Sequence, residues 1–479
     1  MSTRVQEEGS GESSRTILCA DIGTSSLKAA LVDIDGHSHG FTRETYGSGP
    51  VAAVDWERAL ARALGVLFSQ ADHHCTPNAI CISGNGPTLV PLTHDGETLP
   101  PLHWYQGQVP NPAPLSQSLF LPQVLRFIRE RPGDYAKTRR LFSAQEWLSW
   151  RLGADPVTAL PASYEPYYWD DAQCESLGLD RGKFPPFVGL GTVIGQLSPD
   201  AVHRLSGLAG GFPEERFSAG IPIIAGGVDF IMALIGTGAV EPGLVCDRAG
   251  TSEGINLCTE NIVASSTGTP QLSRELRVLP HVNPDYRNVS VIIPSSGRLF
   301  EWYRILTGQE RRPYDDILAE LIKAPGPLSP DVFFFPENNP VLISRAGLYS
   351  RVELGQAVLL SLGFTVRAAI NTLGRNGFPV AEMCLSGGQS KSPRWNQLKA
   401  DLTGVPLLVP ELQDGELGGD AVLGAIALGE AANFREGIAR IVHIQERYTP
   451  APEAATFYSE QFQVYRELQN NIQGKDYAP

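Results

Sequence analysis

The sequence has no block of lysine and arginine, and acidic residues outnumber basic ones. It contains 38 basic and 52 acidic side chains among 479 residues, which gives a formal net charge of −14 at pH 7. A nucleic acid or an anionic membrane attracts a concentrated positive surface, so the composition argues against both as partners. An anionic substrate would have to be met by local N–H groups, hydroxyl groups and a metal ion.

The sequence also has no closely spaced cysteine pair. Its seven cysteines lie far apart, at Cys19, Cys75, Cys81, Cys174, Cys246, Cys258 and Cys384. This pattern predicts reduced, buried thiols in a cytoplasmic protein rather than a disulfide framework. His37, His39, His73 and His74 form no zinc-type set with the cysteines and are expected in surface loops.

No segment has the composition of a signal peptide or a membrane span. Residues 1–15 are polar and acidic and are expected to form a disordered tail. The longest apolar stretches, Ile221–Val245 and Ala357–Ile370, are interrupted by Asp229, by Arg367 and by glycines. The sequence therefore predicts a chain that does not enter a membrane.

Two common nucleotide-binding motifs are absent as well. No G-x-x-x-x-G-K-[ST] loop occurs, and no G-x-G-x-x-G sequence opens a helix after a strand. Strand-like runs and helical patterns alternate along the chain, which indicates an α/β protein of roughly two to four domains. Any nucleotide must therefore be bound in another way.

The tripeptide Gly-Thr-Ser occurs twice, at Gly23-Thr24-Ser25 and at Gly250-Thr251-Ser252. Each copy follows an apolar run that contains an aspartate, Asp21 or Asp247, and precedes another apolar run. This pattern predicts a strand, a tight turn and a returning strand. Such a turn directs N–H groups and hydroxyl groups at one point, as a phosphate requires. The alternative is a pair of unrelated hairpins, because these residues are common in turns.

Hydrophobic periodicity predicts the other elements. Strands are expected at 79–83, 222–225 and 382–386, and helices at 56–71, 123–131, 145–151, 198–206, from 229, 299–307, 314–323, 354–376, 392–403 and 420–432. The two halves of the chain open in the same way, which suggests an internal duplication.

Five segments in a fixed order carry a family resemblance. They are 21–28, 82–86 with 102–108, 225–229 with 236–243, 247–252, and 385–389 with 395–401. With them, the chain resembles the FGGY family of carbohydrate kinases from about residue 16 to 430, most closely its xylulokinase-like members. The resemblance implies an α/β fold with two ribonuclease-H-like lobes of the actin/hexokinase superfamily around a central nucleotide cleft. The lobes are expected at 16–222 and 223–440, followed by an extension over 441–479.

The resemblance implies an ATP-dependent kinase that transfers the γ-phosphate to a hydroxyl group of a ketose or polyol, with a pentulose-type, xylulose-like substrate expected. Asp229 matches the general base, and its alternative role is a helix N-cap. It follows Gly226-Gly227, where the chain can come close to a ligand. Asp21 matches the carboxylate that supports Mg²⁺, directly or through water. Lys28 is expected to be a solvated lysine. Dimerisation is common in the family, but nothing in the sequence requires it.

The remaining ATP-site residues follow from the same resemblance. The phosphate cradle is matched by Gly23, Thr24, Ser25, Gly250, Thr251 and Ser252. Gly387 and Gly388 match the loop on which the adenine and ribose rest, where a side chain would obstruct the ring. Asn396 is a candidate for an adenine-edge contact, or else a residue on a helix surface.

The substrate residues depart from the family pattern. Asn85, Trp104 and Gln106, together with Asp229, match the substrate site, but Gln106 and Gln108 replace an aspartate and an arginine. Glutamine still donates and accepts hydrogen bonds, whereas charged anchoring is lost. One hypothesis is an active kinase whose substrate is not the common pentulose. The other is a nucleotide-binding regulator without sugar kinase activity. A chaperone-type or cytoskeletal ATPase is disfavoured by the Gly-Gly-Val-Asp segment.

Overall fold

A computed structural model of the chain describes residues 15–47, 49–73, 75–106, 118–260, 273, 275–323, 328, 331–336, 341–344 and 347–473. Residues 1–14 of the predicted tail and Gln108 lie outside this set. The chain packs as two compact units, one of Met1–Gly236 with Glu416–Ile441, the other of Thr237–Gly415 with Val442–Pro479. The boundaries of these units differ from the predicted lobe boundaries at 222 and 440. Those lobe boundaries stay predictions.

The described residues form nineteen β-strands. They are β1 (Thr16–Ile22), β2 (Ser26–Asp33), β3 (Ser38–Thr45), β4 (Pro77–Gly84), β5 (Val90–Thr93), β6 (Thr138–Phe142), β7 (Thr158–Ala159), β8 (Phe187–Val188), β9 (Val193–Gln196), β10 (Pro222–Ile224), β11 (Val245–Ala249), β12 (Glu253–Glu260), β13 (Arg277–Pro280), β14 (Tyr286–Ile293), β15 (Val332–Phe335), β16 (Val341–Ser344), β17 (Met383–Ser386), β18 (Leu407–Pro410) and β19 (Ile444–Tyr448).

The same residues form fourteen α-helices. They are α1 (Ala53–Gln70), α2 (Leu121–Glu130), α3 (Pro132–Lys137), α4 (Ala144–Leu152), α5 (Asp171–Ser176), α6 (Pro199–Ala209), α7 (Asp229–Gly236), α8 (Ser296–Leu306), α9 (Tyr314–Leu321), α10 (Arg351–Arg375), α11 (Pro393–Thr403), α12 (Gly415–Ala427), α13 (Phe434–Ile441) and α14 (Pro452–Gln473).

The first unit is built on a six-stranded sheet with the order β3-β2-β1-β4-β10-β9. β1, β2 and β3 are consecutive antiparallel strands, whereas β4 runs parallel to β1 and β10 runs parallel to β4. β1 is buried along its whole length, as expected for a central strand covered on both faces. The predicted strand, turn and returning strand around Gly23-Thr24-Ser25 are confirmed as β1 and β2.

The second unit repeats this arrangement in a seven-stranded sheet with the order β13-β14-β12-β11-β17-β18-β19. β11 and β12 form an antiparallel hairpin, β14 pairs with β12, and β17 and β18 continue the sheet as parallel strands. Equivalent strands even place cysteines side by side, Cys19 beside Cys81 and Cys246 beside Cys384. The repeated topology agrees with the predicted duplication.

Helix α1 supplies much of the core of the first unit. Trp56, Leu60 and Leu64 recur at helical spacing, and each is at most 1% exposed. They pack with the buried side chains of β1 and β2 in one hydrophobic cluster. Burying a side chain of this size stabilises a fold by about 1.5–3 kcal/mol. At the start of the helix, the Asp55 carboxylate accepts a hydrogen bond from the Ala52 N–H (2.9 Å).

In the described part of the chain, α10 is the one helix long and apolar enough to cross a membrane. However, 72% of its most apolar window is buried inside the protein. Its one interrupting charge, Arg367, donates to the Leu402 carbonyl and to Ser459 Oγ (both 2.9 Å) and lies over the Phe462 ring. Phe462 and Tyr465 of α14 belong to the same hydrophobic cluster. α10 is therefore surrounded by other helices of the second unit.

The cysteines agree with the prediction of buried thiols. None of the seven is in a disulfide, and six are buried, whereas Cys75 is partly exposed. Burial raises the pKa of the Cys19 and Cys81 thiols well above the usual value.

The histidines expected in loops occupy different places. His37 and His73 are exposed, whereas His39 lies on β3, where its ring Nε2 is 2.9 Å from the Asp33 carboxylate. His74 lies outside the described residues.

Helix α12 begins five residues before its predicted start at residue 420. The Gly415 N–H donates to the hydroxyl of Ser386 (2.9 Å), at the end of β17. This hydroxyl satisfies a backbone group that a helix start otherwise leaves open. Because the partner is distant in sequence, the local pattern could not reveal it.

Gly226 makes a close approach to another strand. A Cβ at this position would lie 2.1 Å from the Ile82 carbonyl oxygen, a backbone atom that cannot rotate away. Strand packing therefore requires glycine at position 226, and the approach of this segment to a ligand stays a prediction. The missing side chain allows the chain after β10 to lie against β4.

We predict that Gly226→Ala lowers the free energy of unfolding by about 1–3 kcal/mol or more, because the new methyl group overpacks the strand contact. Gly65→Ala is the matched control, since a Cβ at Gly65 in α1 meets nothing within 4 Å. That variant should be stabilised by roughly 0.5–1 kcal/mol. Urea unfolding followed by circular dichroism measures both. Equal midpoints for Gly226→Ala and the wild type would contradict the close approach.

Candidate active site

The carboxyl ends of three strands meet at one edge of the first sheet. The Asn85 N–H donates to the Ile22 carbonyl (2.9 Å), and the Gly84 N–H donates to the Gly227 carbonyl (3.2 Å). These backbone bonds join the ends of β1 and β4 to the segment that leads into α7. Asp21, Asn85 and Asp229 therefore lie at the same edge. Ligands of open α/β sheets bind outside the carboxyl ends of the strands.

The first Gly-Thr-Ser turn lies at this edge. The Gly23 N–H donates to the Ser26 carbonyl (2.9 Å), and the Tyr46 N–H donates to the Ser25 carbonyl (3.1 Å). Gly23 and Thr24 are half-buried and Ser25 is exposed. The turn is thus fixed by its own backbone and presents its hydroxyl-bearing residues outward, as a phosphate site requires.

Lys28 is not the solvated lysine that the sequence suggested. Its ammonium lies 3.6 Å from Asp21 Oδ2 and 3.7 Å from Glu416 Oε2, and its side chain is 18% exposed. Both carboxylates are 98% buried. The strand pairing explains the contact between Lys28 and Asp21, because these two residues face each other across the β1–β2 hairpin. Glu416 comes from α12, far along the chain, and the sequence analysis missed it.

The surroundings of Asp21 suit a magnesium ion. Two buried carboxylates, Asp21 and Glu416, meet at the Lys28 ammonium. A Cβ on Gly23 would lie 4.0 Å from Asp21 Oδ2, so the glycine leaves space in front of the carboxylate. Mg²⁺ commonly takes one or two carboxylates and keeps several waters. Among the described residues, no group of three or more His, Cys, Asp or Glu side chains forms a closed metal site.

Asp420 enlarges the acidic cluster. Its carboxylate accepts from Ser83 Oγ (3.1 Å) and from Cys81 Sγ (3.4 Å), and it is fully buried. Burial and the neighbouring Asp21 raise the pKa of Asp420 well above the usual value. Asp420 therefore takes up a proton more readily than an ordinary aspartate.

Asp229 begins α7 and is half-buried. Its Oδ1 accepts from the N–H of the next residue, Phe230 (2.7 Å). This contact is not that of an N-cap, whose side chain accepts from the second or third residue after it, so the N-cap alternative stays a prediction. The contact does not exclude the role of base, because a carboxylate has two oxygens and about four acceptor positions. The general-base role of Asp229 stays a prediction.

A buried glutamate, Glu146, and Asp229 are both neighbours of Tyr168. Glu146 accepts from the Ser143 N–H (2.8 Å) at the start of α4, and burial raises the pKa of Glu146 to about 7. Burial, with Glu146, Tyr164 and Asp229 as charged or polar neighbours, raises the pKa of Tyr168 as well. Ser143 and Glu146, three residues apart, form a capping box at the start of α4. This sequence signal was not used above.

The predicted substrate residues differ in burial and in their neighbours. Asn85 is buried, and its Oδ1 accepts from Thr88 Oγ1 (2.6 Å). Trp104 is 41% exposed. Gln106 lines a cavity of about 560 Å³, whose other described walls come mainly from residues 50–54 and 98–101. None of the described lining residues is Asn85 or Asp229.

The second Gly-Thr-Ser turn lies at the equivalent edge of the second sheet. The Gly250 N–H donates to the carbonyl of Ser252, two residues on (2.9 Å), whereas in the first turn the Gly23 N–H donates to Ser26, three residues on. The start of α8 braces the turn from outside, because the N–H groups of Gly297 and Arg298 donate to the carbonyls of Gly250 and Thr251 (3.1 and 3.2 Å). Gly250 and Thr251 are exposed and Ser252 is half-buried.

The loop after β17 lies beside this turn. Gly387 has a φ of +96°, and a Cβ there would be 2.5 Å from the Ala249 carbonyl oxygen, so both the conformation and the packing require glycine. A Cβ on Gly388 would meet nothing within 4 Å, and this residue is exposed. The space in front of Gly388 is compatible with the predicted ring site.

Asn396 is not a residue on a helix surface. It is 1% exposed on α11, and its Nδ2 donates to the Ser390 carbonyl (2.7 Å). The side chain therefore supports the loop after Gly388 from below. The adenine-edge contact of Asn396 stays a prediction.

A buried ionic cluster below the second turn was missed by the sequence analysis. Lys399 on α11 donates to both Asp247 and Glu253, which lie on the strands on either side of the turn. Burial, then Glu253, raise the pKa of Asp247, whereas Lys399 lowers the pKa of Glu253 against the opposing effect of burial. Helical periodicity places Lys399 on the same face as the buried Trp395 and Leu402, which was the available signal.

Comparisons with known proteins give a match to a family model and several similar kinases. The C-terminal domain of the FGGY family of carbohydrate kinases matches residues 343–428. The autoinducer-2 kinase of Klebsiella pneumoniae subsp. pneumoniae is 24% identical over 389 residues, which are 73% of this chain and 68% of that protein.

Solved structures show the fold. The xylulose kinase of Lactobacillus acidophilus has a TM-score of 0.76 at 19% identity, over 96% of this chain and 98% of that one. The glycerol kinase of Plasmodium falciparum, solved with ADP, has a TM-score of 0.73 at 14% identity, over 95% and 98% of the two chains. The predicted α/β fold of the actin/hexokinase type is confirmed.

We predict that Glu146→Gln changes the pH dependence of stability. The folded-state pKa of about 7 lies above the ordinary value of 4.5, so the protonated form is favoured by folding. The stabilisation that this proton provides is complete below pH 4.5 and is lost as the pH rises through 7. Glutamine imitates the protonated form, so the variant should gain up to about 3 kcal/mol on the wild type between pH 4.5 and 8.

Thermal unfolding at pH 5, 6, 7 and 8 measures this gain. Glu175→Gln, which changes an exposed glutamate of α5, is the control and should follow the wild type. A constant difference between Glu146→Gln and the wild type at all four pH values would contradict the raised pKa.

Proposed function

Because the chain belongs to the FGGY family of carbohydrate kinases, we propose that it transfers the γ-phosphate of ATP to a hydroxyl group of a small ketose or polyol. It is a phosphotransferase with an alcohol acceptor. The similar proteins are named for different acceptors, autoinducer-2, xylulose and glycerol. A pentulose-type, xylulose-like acceptor remains our proposal, and the neutral Gln106 in place of a charged residue favours an uncharged one.

The observation that carries the proposal is the meeting of Asp21, Asn85 and Asp229 at one sheet edge. A hydroxyl oxygen of the acceptor attacks the γ-phosphorus, and its proton passes to the Asp229 carboxylate. The bond between the γ-phosphorus and the bridging oxygen breaks, and ADP leaves with the bond electrons. Catalysis of this kind depends mainly on positioning and on neutralising charge. A general base contributes about 10²–10⁴ in rate.

The protein meets the phosphates without a basic cluster. Each Gly-Thr-Ser turn offers hydroxyl groups, from Thr24 and Ser25 or from Thr251 and Ser252, beside backbone N–H groups at a fixed turn. Such turns bind anions through partial charges. We propose that the exposed Gly388 and the glycine before it admit the adenine and ribose, with Asn396 as a support or edge contact.

Asp21 would hold the magnesium ion, directly or through water. The ion, when bound, neutralises charge on the phosphate oxygens. Lys28 and Glu416 fix the Asp21 side chain from behind the turn. The acceptor is therefore expected to react only when the phosphates are bound and the carboxylates of Asp21 and Asp229 are correctly positioned.

A nucleotide-binding regulator without sugar kinase activity is the second candidate. It is favoured by Asn85, whose side-chain oxygen already accepts from Thr88, and by Gln106, which lines a cavity whose described lining includes neither Asn85 nor Asp229. The homodimer and the absence of a nucleic-acid partner stay predictions.

We predict that Asp229→Asn lowers kcat by about 10²–10⁴ while ATP is still bound, because the amide cannot accept the proton of the attacking hydroxyl. ATP consumption over a panel of ketoses, polyols and aldoses identifies the acceptor first. Asp200→Asn, an exposed aspartate in the first turn of α6, is the control and should keep full activity. Binding of Mg-ATP with no stimulation by any acceptor would favour the regulator.

We predict that Asp21→Asn weakens the effect of magnesium on nucleotide binding. In the wild type, Mg²⁺ should tighten the binding of ATP, and loss of the supporting carboxylate should reduce this effect roughly tenfold or more. Titration calorimetry with ATP in the presence and absence of Mg²⁺ measures the effect independently of turnover. Asp35→Asn, exposed on the next turn, is the control. Equal magnesium dependence in Asp21→Asn and the wild type would contradict this role.

A further inference from the structure

Lys399, Asp247 and Glu253 form a fully buried ionic triad below the second Gly-Thr-Ser turn. All three side chains are at most 2% exposed. The Lys399 ammonium donates to one oxygen of each carboxylate. Asp247 lies on β11, which enters the turn, and Glu253 is the first residue of β12, which leaves it. One ammonium on α11 therefore holds both ends of the turn.

Stability alone gives a poor reason for such a triad. Removing three charges from water costs several kcal/mol per ion, and well-packed apolar side chains often serve a core as well or better. The ionic arrangement instead fixes directions, because each hydrogen bond specifies where its partner lies. A buried charge cluster at this position is therefore best understood as a device that sets the geometry of the turn.

A second contact extends the triad to the loop after β17. Ser296 Oγ donates to Glu253 Oε2 (2.5 Å) and accepts from Gln389 Nε2 (2.8 Å). Ser296 is completely buried at the start of α8, the helix that also braces the turn through Gly297 and Arg298. Gln389 is half-buried and directly follows the exposed Gly388. These hydrogen bonds form a relay, which runs from Lys399 through Glu253 and Ser296 to Gln389. The relay connects the turn at 250–252 with the loop at 387–389.

We propose that the Lys399–Asp247–Glu253 triad and Ser296 are positioning residues for nucleotide binding, which hold the turn at 250–252 and the loop at 387–389 in one fixed relation. The proposal rests on the proposed function, since it assigns these two loops to the phosphates and to the adenosine part of the same ligand. None of the four residues needs to touch the nucleotide. Loss of the relay should weaken binding by allowing the two loops to move independently.

Ser296→Ala tests the relay without leaving a buried charge unpaired, because Glu253 keeps its bond to Lys399. The dissociation constant for Mg-ADP should rise about tenfold, the loss expected for a hydrogen bond to a charged group. The unfolding temperature should stay within about 3 °C of the wild type, since the removed group is small. Ser296→Thr keeps the hydroxyl and should restore binding. Ser295→Ala, the exposed neighbouring serine, should bind like the wild type.

The triad itself is tested by a neutral variant, because Lys399→Met alone would leave two buried carboxylates uncompensated and would unfold the protein. The triple variant Asp247→Asn, Glu253→Gln, Lys399→Met keeps similar volumes without charge. If it folds by circular dichroism, its dissociation constant for Mg-ADP should be more than tenfold higher than that of the wild type. If it does not fold, the serine variants decide.

Three results would overturn the proposal. They are wild-type affinity for Mg-ADP in Ser296→Ala, failure of Ser296→Thr to restore binding, and wild-type affinity in a folded triple variant. Each presupposes that the wild type binds Mg-ADP. A wild type that does not bind Mg-ADP would instead refute the proposed function, so the two failures are distinguishable by calorimetry on the same protein.

Discussion

The parallel pairing of β1 with β4, and of β11 with β17, is the constraint on which both candidate half-sites depend. In each case a strand that continues into a Gly-Thr-Ser turn lies beside a strand that ends in a glycine loop. The Asn85 N–H reaches the Ile22 carbonyl in one sheet, and Gly387 lies against Ala249 in the other. Glycine is required where two backbones are in contact. The polar residues next to the glycine lie at the strand ends, where a ligand can bind.

Local patterns were sufficient to predict what neighbouring residues decide. The two hairpins, the turns between their strands and most helices follow from periodicity and glycine within short windows. The partners of Lys28, Asn396 and Lys399 could not be predicted in this way. The partner of Lys28 lies in α12, and the partners of Lys399 lie in β11 and β12. Each partner is therefore on another element and far away in the sequence. Burial by distant segments decides whether a lysine is solvated or paired.

The two copies of the turn have diverged in charge. Two residues before the glycine, the first copy has Asp21, opposite Lys28, and the second has Arg248, opposite Gly254. The aspartate of the second copy, Asp247, is one position earlier and so points to the other face of the sheet, where it meets Lys399. The duplicated backbone therefore carries a carboxylate at one turn and a guanidinium at the other. A repeated fold has been given two unlike electrostatic environments.

The side-by-side cysteines have a practical consequence for handling the protein. While the sheets are intact, Cys19 and Cys81 are shielded from solvent, and their raised pKa values keep them as thiols, which are poor nucleophiles. Unfolding removes both protections and releases seven ordinary thiols into one flexible chain. Air oxidation would then form disulfides between cysteines that the native sheets keep apart. Reversible refolding of this chain thus depends on a reductant that the folded protein itself does not need.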